Sequence, residues 1–244
     1  MRKIFLAVLA ALCFPALAVA GPADYIYSPA VEFGEHEVEL KYGYAEPKNG
    51  ITDLVSIGLG YGAKERWFTE ISLKRARKNG DSLTLAEWEN KFQLTETGEY
   101  AVDVGFITEV EVPISGDAPW ELKVGPLLQT EFGQLQLNGN LLFTREFGST
   151  DKSGVPYNTH FSYQWQAKYR WQKAFEFGLQ GLGAMGKWNQ WDKPAEQDHR
   201  IGPAVFGKVA IGNQQAIRYN AAWLLGASQA APSHVIRMQV EYEF

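Results

Sequence analysis

The chain has 244 residues, a formal net charge of -5 from 23 basic and 28 acidic side chains, and 14% aromatic residues, including 8 Trp. The acidic balance argues against a nucleic-acid-binding surface, and this length suits one β-barrel domain. Cys13 is the single cysteine and lies among the first twenty residues, so residues 21–244 have no disulfide, thiolate nucleophile or cysteine-based metal site.

The first twenty residues predict a secretory signal peptide. Arg2 and Lys3 precede a short apolar stretch, and Ala18-Val19-Ala20 is a small-x-small cleavage site before Gly21. The apolar stretch is too short for a spanning helix, and no run of about 18 apolar residues follows it. We therefore expect a signal peptide over 1–20 and a single mature domain over 21–244. Residues 21–35 precede the first strand and are expected to form either a periplasmic tail or a small plug.

Apolar and polar residues alternate strictly along many segments of the mature chain. The clearest segment runs from His160 to Trp171, where aromatic residues occupy one face and polar residues the other. Successive side chains of a strand point to opposite faces, so this pattern indicates a strand between lipid and a polar lumen. The last strand, 236–244, repeats the pattern and ends on Phe244, as bacterial outer-membrane barrels do. This ending predicts recognition by the barrel-assembly machinery.

Twelve such segments predict an all-β, transmembrane, antiparallel up-and-down barrel. They lie around 38–44, 55–61, 67–74, 86–94, 100–112, 120–129, 135–143, 160–171, 175–185, 200–211, 217–225 and 236–244. Short connections at 63–65, 95–98, 132–133, 172–173 and 212–214 alternate with longer ones at 45–53, 78–82, 114–118, 147–156, 188–198 and 226–232. The alternation predicts both termini on the periplasmic side. Three residues break the pattern: Asn90 on the lipid face, and Phe68 and Leu142 on the lumen face.

The predicted lumen carries charges of both signs. The residues predicted to line this lumen are Glu87, Glu89, Lys91, Lys168, Arg170 and Arg218. They are consistent with a conduit whose charges select a solute, or with charges that pair across strands and fill the barrel. The carboxylates of the fourth and fifth strands cluster, and internal ion pairing is the simpler account of that cluster.

The sequence contains one enzyme-like pattern, His160-Phe161-Ser162. A His-x-Ser pair on an outer strand end resembles the site of outer-membrane lipid hydrolases, where the histidine activates the serine. The residues that follow Ser162 depart from that pattern, and the pair is expected to face the lumen. His36, His199 and His234 show no ligand spacing, so neither a metal nor a cofactor is predicted. The loop that contains Trp188, Trp191 and Pro194 is expected to lie at the membrane interface.

The stretch from Gly50 to Leu59, GITDLVSIGL, and the strands up to Val112 resemble a family of uncharacterised bacterial outer-membrane barrels. That family is described as transporters and is in part named after phenol degradation. The resemblance covers about the first half of the chain and implies a barrel that passes or senses small molecules. It transfers no catalytic residue.

The sequence thus favours a passive outer-membrane channel for small solutes, in contact with outer-membrane lipid and without nucleic acid. Two alternatives stay open. One is a lipid hydrolase that uses His160 and Ser162. The other is a closed structural or surface-interaction barrel.

Overall fold

The computed structural model describes residues 21–46, 51–78, 80–116, 118–147, 158–212 and 215–244. The predicted signal peptide and the tips of the loops at 47–50 and 148–157 lie outside the described residues. No helix in the described ranges is long and apolar enough to cross a membrane.

Residues 36–243 form an antiparallel barrel of twelve long strands, as the alternation predicted. A two-residue strand, β10, pairs only with the end of β9. The strands are β1 (His36–Ala45), β2 (Ile51–Lys64), β3 (Trp67–Lys78), β4 (Asp81–Gln93), β5 (Asp103–Ser115), β6 (Trp120–Phe132), β7 (Leu135–Phe147), β8 (Thr159–Gln172), β9 (Phe175–Lys187), β10 (Gln190–Trp191), β11 (Asp198–Gly212), β12 (Gln215–Gly226) and β13 (His234–Glu243).

Pairing between the first and last strands closes the barrel. Nine residue pairs join β1 to β13, from Glu37 opposite Glu243 to Ala45 opposite Val235. The seam extends one residue further, because the Phe244 amide donates to the His36 carbonyl at 2.9 Å and the His36 amide donates to the Phe244 carbonyl. Closure leaves none of the twelve long strands with an unpaired edge. An unpaired edge within hydrocarbon would leave backbone amides and carbonyls without partners.

The two rims of the barrel differ in their connections. The terminal end, defined by His36 and Phe244, carries two-residue turns at 65–66, 133–134 and 173–174 and a nine-residue connection at 94–102, and β11 and β12 also meet there. The loop end, defined by Ala45 and Val235, carries connections at 46–50, 79–80, 116–119, 148–158, 188–197 and 227–233.

The predicted strict alternation of short and long connections is therefore wrong at two places. The connection between β3 and β4 has two residues, and Gly80 within it adopts a φ of 90°, a conformation that favours glycine. The connection between β4 and β5 is longer than predicted, because Tyr100 and Val102 precede β5. There the Asp103 carboxylate accepts a bond from the Gly98 amide, which holds the chain in a turn.

The outer face is a continuous apolar surface. Leu59 and Ile71 are more than 60% exposed, and many neighbouring apolar side chains on this face are exposed to a smaller extent. Asn90, which broke the alternation on this face, accepts a hydrogen bond from the Trp67 indole nitrogen at 3.1 Å. Its carbonyl oxygen thus has a donor beside lipid, which lowers the cost of placing it there.

Residues 21–31 thread the lumen, and we call them the plug segment. The segment starts near the loop end, where Pro22 lies against Gly43 of β1, and Glu32, just beyond it, reaches Gly62 of β2 at the terminal end. A Cβ atom on Gly43 would overlap the Pro22 backbone, and one on Gly62 would overlap the Glu32 carbonyl. Of the two expectations for residues 21–35, the plug is the one that the structure shows.

Much of the loop-end half of the lumen is filled by apolar side chains, whereas the sequence pattern predicted mainly polar inward residues. Three groups of buried side chains pack on Ala23, Ile26 and Tyr27 of the plug segment. Leu224 and Val235 belong to these groups and have no accessible surface. Inward leucines are stable there because they contact the plug segment rather than water, and burying one such side chain contributes about 1.5–3 kcal/mol. Leu142, which broke the alternation, packs in the same way.

We expect Gly43→Val to unseat the plug segment, because its side chain would occupy the space of Pro22. An Ala23→Cys reporter supplies the only thiol of residues 21–244. Its reaction with a bulky maleimide should be slow in the otherwise native chain and faster in Gly43→Val, by roughly tenfold for a loss of about 1.4 kcal/mol in seating free energy.

Gly139→Val is the matched control, because no atom lies within 4 Å of a Cβ built at Gly139. It should leave labelling unchanged. Equal labelling rates in the Gly43 variant and the native chain would contradict this placement of the plug segment.

Candidate functional site

Carboxylates face each other across two strands in the middle of the lumen. The register places Glu87 opposite Glu111 and Glu89 opposite Glu109. Like charges at paired positions destabilise a sheet, so cations must compensate them. Lys74 pairs with both Glu87 and Glu111, at 2.9 Å from the latter. Ion pairing within this cluster was the simpler expectation, and the structure confirms it.

A second cation completes the compensation. Lys123 lies 2.6 Å from a Glu109 oxygen. The sequence suggested Lys91 for this role, but among the described residues Lys91 has no carboxylate partner within ion-pair distance, and its ammonium lies 4.8 Å from the centre of the Phe68 ring. The register across β3, β4, β5 and β6 decided which lysines bridge, and the sequence alone did not give that register.

Two tyrosines of the plug segment bind this carboxylate cluster. The Tyr25 hydroxyl donates to Glu89 at 2.8 Å, and the Tyr27 hydroxyl donates to Glu109. The ammonium of Lys41 lies 3.9 Å from the centre of the Tyr25 ring, a cation–π contact. These bonds hold the middle of the plug segment against the charged side of the barrel.

The opposite side of the lumen is built from amide side chains, which we call the amide wall. Its members are Gln129, Gln136, Asn138, Asn140, Gln164, Gln166 and Gln180. They bond to one another, as in the 3.0 Å bond from Asn140 to Gln164 and the 2.6 Å bond from Gln180 to Gln166.

The amide wall also receives the plug segment. Asn140 donates to the Tyr27 carbonyl at 3.3 Å, and the Ser28 hydroxyl donates to Gln129 at 3.2 Å. Arg237 of β13 donates to the Asp24 carbonyl. An extended segment inside a barrel has no strand partner, so the amides of Asn140 and Gln93 and the guanidinium of Arg237 satisfy part of its backbone.

A cavity of about 740 Å³ remains beside the plug segment in the terminal half of the lumen. It reaches the terminal rim, where Glu35, Gln172 and Lys173 line it. Carboxylates, cations and amides surround it, together with the rings of Tyr25 and Phe68.

The structure places all six predicted lining residues on the inward face. Glu89, Lys91, Lys168, Arg170 and Arg218 line the cavity, whereas Glu87 lies deeper, beside Lys74. Three of the cations are already paired: Lys168 with Glu176 at 3.0 Å, Arg170 with Glu131 at 2.7 Å and Arg218 with Glu243 at 2.8 Å. Contact between these residues and a solute stays a prediction.

Sequence reasoning missed the contribution of the plug segment and of the amides. Tyr25 and Tyr27 precede every strand, and no periodicity marks them as lumen residues. The amides were visible as part of the polar face of four adjacent strands, β6 to β9, but their role depends on the segment that crosses them.

His160 and Ser162 lie on the inward side of β8 near the loop end, as the register predicted. Among the described residues, no hydrogen bond joins Ser162 to His160, and His160 Nδ1 is buried without a partner. His199 instead bonds the Tyr163 hydroxyl at 2.9 Å. This geometry does not activate a serine nucleophile, which needs a base within hydrogen-bond reach. No group of three or more possible metal ligands occurs within the described ranges.

Glu35 connects the plug segment to β1 at the terminal rim. Burial, together with the neighbouring carboxylates of Glu32 and Glu243, raises the pKa of its carboxyl to about 7. Arg218 and Lys208 oppose that rise. The group therefore titrates near neutral pH at the entrance of the cavity.

Solved structures share this fold at low sequence identity. The NanC porin aligns with a TM-score of 0.58 at 9% identity, covering 85% of this chain and 98% of the porin. The KdgM porin gives 0.54 at 9% identity over the same shares. An outer membrane channel from Pseudomonas putida F1 gives 0.56 at 14% identity, covering 90% of this chain and 98% of the channel.

These likenesses establish the fold, a porin-type barrel. No protein-family profile matches the chain. No curated protein matches it either. The resemblance to the phenol-named transporter family therefore stays a prediction from the residues quoted above.

We expect Tyr27→Phe to destabilise the barrel by about 1–3 kcal/mol, because Glu109 would lose a buried donor. Urea titration followed by tryptophan fluorescence measures the change. Tyr100→Phe is the control, since Tyr100 is 59% exposed. A Tyr27 variant as stable as the control would contradict the role of this bond in holding the plug segment.

The raised pKa of Glu35 predicts a pH dependence. Between about pH 4.5 and 7 the folded chain keeps a proton that the unfolded chain has released, so this group's contribution to stability falls as pH rises. Glu35→Gln removes that contribution. The stability gained by the variant over the native chain should be larger at pH 7.5 than at pH 5. A stability difference between Glu35→Gln and the native chain that is the same at both pH values would contradict the raised pKa of Glu35.

Proposed function

We propose that the chain is an outer-membrane channel for small polar solutes and that the plug segment closes it in the state described here. The observation that carries the proposal is the charged cavity inside a closed barrel, open to the terminal rim and separated from the loop end by the plug segment. The porin-type fold supports it.

The arrangement suits passage down a gradient. Polar side chains along the cavity replace part of the water shell of an entering solute, so the cost of dehydration is reduced. Nothing in the described ranges indicates an energy-coupling element, and the proposed transport is passive.

The proposal includes export and assembly. Residues 1–20 would direct export and be removed, outer-membrane lipid would cover the apolar face, and the barrel-assembly machinery would recognise the strand that ends on Phe244. The exposed ring of Phe244 stacks on Tyr242 along the outer face, where such recognition has access. Trp188 and Trp191, which are both more than half exposed at the loop end, would lie at the lipid interface.

A closed structural barrel is the second candidate, and the apolar packing at the loop end favours it. Leu142, Leu182 and Leu224 are at most 2% exposed, so the lumen is filled at that level. The two candidates differ in whether the plug segment leaves its seat under conditions in which the barrel stays folded.

Ion conductance in a planar bilayer distinguishes the two candidates. Residues 21–244 should show rare or small openings, because the plug segment occupies the lumen. Gly43→Val, which keeps the full chain, should show more frequent openings, and so should removal of residues 21–31. Gly139→Val should behave like the native chain.

Open variants should also reveal the lining of the path. Glu89→Gln in the Gly43→Val background should reduce the preference for cations, because it removes a carboxylate from the cavity. If Gly43→Val and the chain without residues 21–31 both fold but conduct no better than the native chain, the structural barrel is favoured.

The enzymatic alternative is weaker. We expect no hydrolysis of phospholipid or lipid A by the folded protein and no effect of Ser162→Ala, because Ser162 has no base at hydrogen-bond distance. Hydrolysis that disappears in Ser162→Ala would restore that alternative.

A further inference from the structure

The cavity brings one acidic and one basic side chain to the same aromatic ring, and neither has an ion-pair partner among the described residues. We propose that Glu37, Phe68 and Lys91 form a binding subsite for a small zwitterionic solute, one that carries an ammonium and a carboxylate. The role of the subsite in transport rests on the channel function proposed above, but binding does not require flow.

The geometry of the subsite follows from a glycine in β2. A Cβ atom on Gly60 would meet the tip of the Phe68 ring and the Glu37 side chain, so both side chains fold over this glycine and meet there. Lys91, which pairs with Phe68 across β3 and β4, places its ammonium 4.8 Å from the centre of the same ring. The Glu37 side chain thus meets the tip of the Phe68 ring, and the Lys91 ammonium lies over the same ring.

Both side chains are available to a ligand. Within the described part of the chain, no ion pair or hydrogen bond engages the Glu37 carboxyl group, and no carboxylate lies within 4.0 Å of the Lys91 ammonium. Lys168, Arg170 and Arg218 differ from Lys91, because each has a carboxylate partner. A buried Glu70 oxygen that also lines the cavity accepts no hydrogen bond from the described residues and lies 3.9 Å from the Lys41 ammonium. It is a further acceptor beside the subsite.

The wider charge distribution orients a dipolar molecule. An acidic arc on β13, β1, β3 and β4, with the residue before β1, faces a basic arc on β8, β11 and β12. The acidic arc consists of Glu35, Glu37, Glu39, Glu70, Glu89 and Glu241, and the basic arc of Lys168, Arg170, Lys208 and Arg218. Opposed charges across a low-dielectric cleft create a transverse field, and that field favours a solute with separated charges.

Ions of a single charge fit this subsite less well. An anion would contact Lys91 but would also approach Glu37 and Glu89, and a cation would contact Glu37 but would also approach Lys91. A zwitterion satisfies both groups, and its apolar spacer can cover the ring of Phe68. A cavity of about 740 Å³ has ample room for such a molecule.

Calorimetric binding to the folded, detergent-solubilised protein (residues 21–244) tests the proposal. The probes are 4-aminobutyrate as the zwitterion, pentanoate as the anion and butylammonium as the cation, all at pH 7. We expect 4-aminobutyrate to bind at least about tenfold more tightly than either ion, a difference of about 1.4 kcal/mol. Glu37→Gln and Lys91→Met should each remove most of that preference.

Arg77→Gln is the matched control, because Arg77 is an exposed charge on the outer face, paired with Asp53 at 3.6 Å. It should bind as the native chain does. Heat-dependent mobility in detergent gels reports whether each variant folds. If a variant does not fold, the preference of the native chain for 4-aminobutyrate over the two single ions still decides the test.

The outcomes separate the subsite from the channel. Equal binding of the three probes, or no binding of 4-aminobutyrate, would overturn the subsite even if the open variants conduct. Preferential binding that survives in both Glu37→Gln and Lys91→Met would overturn the assignment to these residues. Zwitterion binding without conductance in any folded open variant would leave the subsite intact and overturn the channel.

Discussion

Every backbone amide and carbonyl that crosses the hydrocarbon region needs a partner from the protein itself, and the remaining features of this fold depend on that constraint. Pairing of β1 with β13 satisfies it by closing the sheet. Closure fixes which face of each strand points inward, because side chains alternate along every strand. The outer face then becomes apolar, and everything polar is collected in the lumen.

A lumen of this size creates a second requirement, since its polar groups must be satisfied in a narrow space. The chain meets it with its own N-terminal segment. Tyrosine hydroxyls of this segment bond to carboxylates on one side, and amides bond to its backbone on the other. Glycines at inward positions, such as Gly43 and Gly62, allow the backbone of the segment to approach the wall. The plug is thus matched to the barrel along its whole length.

The two halves of the lumen differ in physical character. Near the loop end the plug segment packs in an apolar core and excludes water. Toward the terminal end the same segment leaves room for a charged cavity. A closed end and an open, polar end are compatible with a channel in its resting state. In the proposed subsite, Glu37 and Lys91, which have no ion-pair partner among the described residues, would select the solute at the open end.

The alternation of residues such as Phe161, Tyr163 and Trp165 with Ser162, Gln164 and Gln166 was sufficient to predict the strands, the barrel and the inward face, because period-two patterning depends on local geometry alone. It also placed Glu89, Lys168 and Arg218 on the lumen side. The pairing partners could not be predicted, since the choice of Lys74 and Lys123 over Lys91 as bridging cations depends on the register of neighbouring strands. The plug could be named only as one of two possibilities, and the apolar inward leucines appeared as breaks in the pattern. Their meaning depends on contact between residues 21–31 and strands far away in the chain, which only the tertiary structure decides.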